Sequence, residues 1–280
     1  TPHTFFTTQP MRILAPTAAL LAASPAASAQ DASLTVLHGV PGLPAPVEVF
    51  ANGSSLFSFD HGEQCGPLAV PAGTYTVDVR LGGQTILTAT VPLAADTSYS
   101  AIAHLDAGGT PTISLFTNNT ASLALPGARL AVRHTAQAPA VDVVLEQGGS
   151  TVARFNGLSN PNEVQADVAP GTYEASLFVA GTSTRAFGPV SVAIENGYAY
   201  AVYAVGDVSG PDFRLLVQRD SLTARVTVIH GVPGLPAPVE VFAGTTRLFS
   251  FDFAETAGPL VLNPGSYPLS VRLNGNPILS

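Results

Sequence analysis

The sequence predicts an all-β protein of tandem immunoglobulin-like Greek-key β-sandwich domains, and three observations carry that prediction. A long block recurs after 192 positions, apolar residues alternate with period two, and turn residues punctuate the chain. The turns fall at the roughly 8–12-residue spacing of sandwich strands, and no window shows a helical period.

The repeats set the boundaries. Residues 34–88 begin LTVLHGVPGLPAPVEVF and residues 226–280 begin VTVIHGVPGLPAPVEVF; without a gap, 33 of 55 positions are identical. A more divergent copy starts midway at Leu130, with His134 in the place of His38 and Ala169-Pro-Gly-Thr-Tyr173 matching Pro71-Ala-Gly-Thr-Tyr75. One repeat is therefore about 95 residues long. The predicted order is repeat 1 over 30–124, repeat 2 over 128–222 and an incomplete third repeat over 225–280.

Within repeat 1, strands are predicted at 34–38, 47–50, 75–81, 86–91, 99–104 and 112–116, from alternating or β-branched runs. Six or seven short strands per repeat follow, with turns at Asn52-Gly53, Gly82-Gly83 and Gly108-Gly109. Pro41, Pro44 and Pro46 remove backbone donors, so their segment is a crossover or edge. Tyr75, at the start of a strand after the Pro-Ala-Gly turn, is placed to tie its hydroxyl to nearby backbone, as a tyrosine corner does.

Composition excludes several functions. The chain has 280 residues, 46% hydrophobic and 11% charged, with 26 Gly, 24 Pro, one Cys and no Trp. Its apolar content excludes a disordered chain. The single Cys excludes a disulfide framework and a Cys-rich zinc cluster. A formal charge of -8, with every basic residue an Arg, argues against nucleic acid as a partner.

The N-terminus reads as a targeting segment. Met11-Arg12 precedes the apolar run Ile13–Ala23 and the small-residue site Ala27-Ser28-Ala29, the pattern of a secretory signal peptide. The run is too short to span a bilayer, so no transmembrane segment is predicted. Residues 1–29 are expected to be a signal peptide with an upstream extension, and the protein to be exported to the periplasm or cell surface.

The block Val-x-His with its following prolines, the Ala-Pro-x-Val-[Asp/Glu]-Val strand, the Pro-Gly-Thr-Tyr turn and the strand Tyr200–Gly206 resemble the domain of unknown function 4397. The resemblance runs over nearly all of residues 33–280, although repeat 2 has Gln137 near the place of the usual proline. It implies an exported bacterial envelope protein, often of tandem domains, and transfers no catalytic residues.

The candidate chemistry lies in histidines. His38, His134 and His230 share one repeat position, which fits a buried histidine bonding the proline loop or, alternatively, a metal ligand or base. His61 and Cys65 stand where the third repeat has Phe253 and Ala257, and His104 stands where repeat 2 has Val205. His38, His61, His104 and Cys65 together would form a nitrogen and sulfur set suited to copper. The bland alternative is scattered histidines and one buried thiol. No G-x-S-x-G elbow, phosphate-cradling glycine loop or H-E-x-x-H motif is present. Asn118-Asn119-Thr120 is a glycosylation triplet of the kind common by chance.

Two functions are expected from these features. The first is an exported structural or binding module of a surface assembly, partnered by envelope or surface-layer proteins. The second is a copper-dependent redox enzyme, superoxide dismutase-like, with copper as cofactor on the histidines of repeat 1. The third repeat stops short of its last strands, which fits either a fragment or self-association by strand addition or swapping.

Overall fold

The computed structural model describes residues 31–43, 46–235, 238–262 and 267–279; the signal-peptide reading of 1–29 and Pro44 lie outside them. Every regular element among the described residues is a β-strand, and none of them forms a helix long and apolar enough to cross a membrane.

Repeat 1 has eight strands: β1 (Asp31–His38), β2 (Val47–Ala51), β3 (Ser54–Phe59), β4 (Gln64–Pro71), β5 (Gly73–Leu81), β6 (Gln84–Leu93), β7 (Ser98–Leu105) and β8 (Pro111–Thr117). They form two four-stranded sheets, ordered β4-β1-β7-β8 and β3-β2-β5-β6. β1 runs parallel to β7 and antiparallel to β4, so the chain switches sheets between β1 and β2 through the proline crossover. The six or seven expected strands become eight because β3 and β4 are edge strands with weak patterns: one is serine-rich, the other carries Gly66-Pro67.

Repeat 2 reproduces this plan. β9 (Ala128–Gln137), β12 (Glu163–Val168), β15 (Tyr198–Asp207) and β16 (Arg214–Ser221) make one sheet. The other holds β10 (Val141–Gln147), β11 (Ser150–Leu158), β13 (Gly171–Val179) and β14 (Arg185–Ile194). Repeat 3 has β17 (Ala224–Ile229) paired with β20 (Thr256–Leu262). Opposite lies a sheet of β18 (Val239–Ala243), β19 (Thr246–Phe251), β21 (Leu269–Leu273) and β22 (Asn276–Leu279).

Two local devices recur. The Tyr75 hydroxyl donates to the Pro71 carbonyl at 2.7 Å, and Tyr173 donates to Ala169 at 2.6 Å, which pins the turn before β5 and β13. In β4 the register against β1 slips between Leu34 and Val36, a bulge at Gly66, whose φ is +130°. A Cβ on Gly66 would lie 2.7 Å from the Leu34 carbonyl oxygen and 2.9 Å from Thr35 Cα. Gly258, at the same place in repeat 3, has φ +118° and meets Val226 in the same way. Gly66→Ala is therefore expected to lower stability by about 2 kcal/mol, read as a lower urea midpoint at unchanged slope.

The sheets bury both faces where the repeats meet. On β1 and β7, alternation turns Leu34, Ala101 and their neighbours into the sandwich core of repeat 1. Leu37 and Ile102 turn the other way, onto Ala131, Ala201, Tyr203 and Val205 of repeat 2. Leu37, Ile102, Tyr203 and Val205 are fully excluded from solvent. Each of the three aliphatic side chains contributes about 1.5–3 kcal/mol of burial.

The same interface carries charge. Arg133, 1% exposed, pairs with Glu163, donates to the Tyr203 hydroxyl and reaches Asn118 Oδ1 of repeat 1 at 2.9 Å. Its guanidinium lies 4.6 Å from the centre of the Phe116 ring. The Ser100 hydroxyl of repeat 1 donates to Gln218 Oε1 at 2.7 Å and lies 3.0 Å from Asn118 Oδ1. Asn118, the head of the glycosylation triplet, is thus a strut between repeats.

Candidate functional site

His38 ends β1, and the loop after it folds back tightly. The His38 amide donates to the Glu63 carbonyl at 3.1 Å, and the Gly62 amide donates to the His38 carbonyl at 2.8 Å. This double clamp brings the turn that carries His61, between β3 and β4, against the end of β1. The two imidazoles lie with centroids 5.8 Å apart and planes at 70°, and Phe59 packs on His38 at 5.5 Å.

The His38 Nδ1 faces the Val40 amide at 3.4 Å, so the bond to the proline loop expected from the sequence is present. Nε2 of His38 and Nε2 of His61 are buried without a hydrogen-bond partner. Burial lowers the His38 pKa to about 4, with the neighbouring His61 adding to the effect. His61 is also lowered, by burial first and then by Arg214 of repeat 2, against an opposing pull from Asp212.

Repeat 3 explains the pairing. His230 receives the Val232 amide at 3.4 Å on Nδ1 and packs edge-on against Phe251 and Phe253 at 6.0 and 5.9 Å. Phe253 occupies the position of His61, so His61 fills an aromatic slot that exists whether or not it holds nitrogen.

His104 is held elsewhere. Its neighbour Ala103 is in register with His38, and a one-residue step on a strand reverses the face. His38 therefore faces the sandwich interior and His104 faces repeat 2, on opposite sides of one sheet. The His104 Nδ1 donates to the Leu105 carbonyl and Nε2 accepts from the Ser114 hydroxyl, both at 2.8 Å, so both nitrogens are engaged. Burial lowers its pKa first, and His134 across the interface lowers it further. His134 is lowered by burial too, and its Nε2 donates to the Pro139 carbonyl at 3.0 Å.

Cys65 sits on β4 opposite Val36, half-buried beside the crevice between Leu37 and Leu215. Of the four residues expected to converge on copper, the fold brings His38 and His61 together and separates His104 from them by the thickness of a sheet. Among the described residues no group of three His, Cys, Asp or Glu side chains is placed to hold a metal ion.

Sequence reasoning passed over Arg133, Tyr203 and Gln218, which build the junction. The available signal was two arginines, Arg129 and Arg133, four apart around the apolar run Leu130–Val132 at the start of β9.

The model of the Domain of unknown function (DUF4397) matches residues 32–144. No curated protein matches the chain. Among solved structures, the Bacillus anthracis TIE protein is similar at 14% identity and a TM-score of 0.24, over 88% of this chain and 46% of its own. The chain thus spans about half the length of that protein. A putative cell adhesion protein from Bacteroides eggerthii is similar at 14% identity and a TM-score of 0.20, over 69% of this chain and 96% of its own.

Proposed function

We propose, from the match of residues 32–144 to a DUF4397 domain, that this chain is an exported envelope protein serving as a structural or binding module. One observation carries the reading. Repeats 1 and 2 are joined by a buried interface with its own apolar cluster and a charge network through Arg133. Such a junction couples the two sandwiches, which is what a spacer or a display scaffold requires.

The histidines support the same reading. His104 spends both ring nitrogens and His134 one on backbone or hydroxyl partners, while His61 fills an aromatic slot. The Met11–Ala29 pattern supports export.

Fractionation of a bacterial host expressing the full chain tests this. The protein is expected in the envelope or medium, with a mature N-terminus near Gln30. An unprocessed chain confined to the cytoplasm overturns the reading.

A further inference from the structure

Repeat 1 encloses a cavity of about 400 Å³ between its sheets, whereas the corresponding space in repeat 2 is about 40 Å³. Close-packed interiors hold few voids larger than a water molecule. An apolar cavity of about 150 Å³ stays dry and takes up benzene, so this one has room for roughly ten to fifteen non-hydrogen atoms.

The difference is written into the central strands. Register aligns Ala51, Val79 and Ala101 with the larger Leu145, Leu177 and Val202 of repeat 2. One central exchange, Val77 for Ala175, runs the other way. Repeat 1 places its bulk at the edges instead, with Phe59 on β3 and Leu68 on β4 where repeat 2 has Leu158 and Ala166. The void reaches the surface beside Leu56, which is 50% exposed.

One histidine belongs to the lining. His38 lines the cavity, is 1% exposed and has no partner on Nε2. Since Nδ1 faces the Val40 amide, the neutral ring carries its proton on Nε2 and offers a donor. In repeat 2, where the space is filled, His134 Nε2 donates to Pro139 and only the acceptor nitrogen Nδ1 is left without a partner, whereas His230 of repeat 3 leaves Nε2 free as His38 does. A buried donor left unpaired is unfavourable, and a ligand oxygen would relieve it.

We propose that the interior of repeat 1 binds a single-chain aliphatic molecule ending in one uncharged oxygen. The chain lies between the sheets and the oxygen accepts the His38 Nε2–H. A carboxylate fits less well, because an ion would be buried beside a neutral ring.

Titration of the full protein with decan-1-ol and with decane tests this, followed by native mass spectrometry and methyl NMR. Decan-1-ol is expected to bind saturably at one equivalent. The double variant Ala51→Leu, Ala101→Val installs residues that repeat 2 already tolerates, and should weaken binding at least tenfold with an unchanged circular dichroism spectrum. His38→Phe should weaken decan-1-ol about tenfold and leave decane unaffected, while His38→Gln, which keeps a donor, should retain most of the affinity and also serves if the Phe variant fails to fold. Absence of saturable binding overturns the proposal, as does binding indifferent to the double variant. Equal affinity for alcohol and alkane overturns the role of His38.

Discussion

Arg133→Ala is expected to cost about 3 kcal/mol and to split a single unfolding transition into two. The side chain is wholly buried, and it pairs with Glu163, Tyr203 and Asn118 while lying over Phe116. Removing one partner of a buried ion pair typically costs about 3–5 kcal/mol. Here the figure sits at the lower end, because Glu163 is 26% exposed and can rehydrate. Tyr203 also keeps Gln218 at 3.0 Å. The truncation leaves a void at the junction, which adds to the loss. Urea unfolding followed by two probes, one per repeat, checks the result. Arg133→Met, which restores apolar volume without charge, should recover much of the stability. A single transition with an unshifted midpoint in Arg133→Ala would show that the junction does not couple the repeats.

Acid is expected to unfold this protein well before its carboxylates titrate. His38 has a folded-state pKa of about 4 against an ordinary value near 6.5, so the fold favours the neutral ring. Above pH 6.5 both states are neutral and the stabilisation is complete. As pH falls from about 6.5 to 4 the unfolded chain takes up protons that the folded one refuses, and about 3 kcal/mol is lost from His38 alone. His61, His104 and His134 are shifted in the same direction and steepen the loss. Thermal melts from pH 7.5 to 4 test this: the midpoint should hold above pH 7 and fall steeply below 6. His61→Phe takes the residue that repeat 3 uses and removes both one depressed histidine and the like charge beside His38. It should move the acid limb to lower pH while leaving the neutral midpoint nearly unchanged. A flat midpoint down to pH 4.5 in the parent protein would refute the account.

The sandwich was legible because its central strands alternate cleanly and its turns carry Gly and Pro. The edge strands β3 and β4 were not, since Ser54, Ser55 and Ser58 and the bulge at Gly66-Pro67 blur the period. The tyrosine bond to the preceding turn was readable from the Pro-Ala-Gly-Thr-Tyr order alone. The histidine set was harder. His38 and His61 meet because a loop folds back, and the comparison of repeats had already marked that loop as unusual. His104 parts from them because its neighbour Ala103, and not His104 itself, is in register with His38. That pairing joins strands about sixty residues apart, and no local pattern in the chain encodes it. The junction was equally hidden: an arginine in a strand reads as a water-facing position until a second domain covers it.

Alternation on β1 has one more consequence. Leu37 is wholly buried where it packs on repeat 2, and its counterpart Ile229 in repeat 3 is 68% exposed. Repeat 3 matches repeat 1 much more closely than repeat 2 does, at a step of 192 residues. The sequence thus repeats more closely by the pair of sandwiches than by the single sandwich. The two members of the pair present different faces to their joint, Leu37 and Ile102 on the left-hand side and Tyr203 and Val205 on the right-hand side. Lengthening such an array by single domains would place two left-hand faces in apposition, whereas lengthening it by pairs keeps every joint matched.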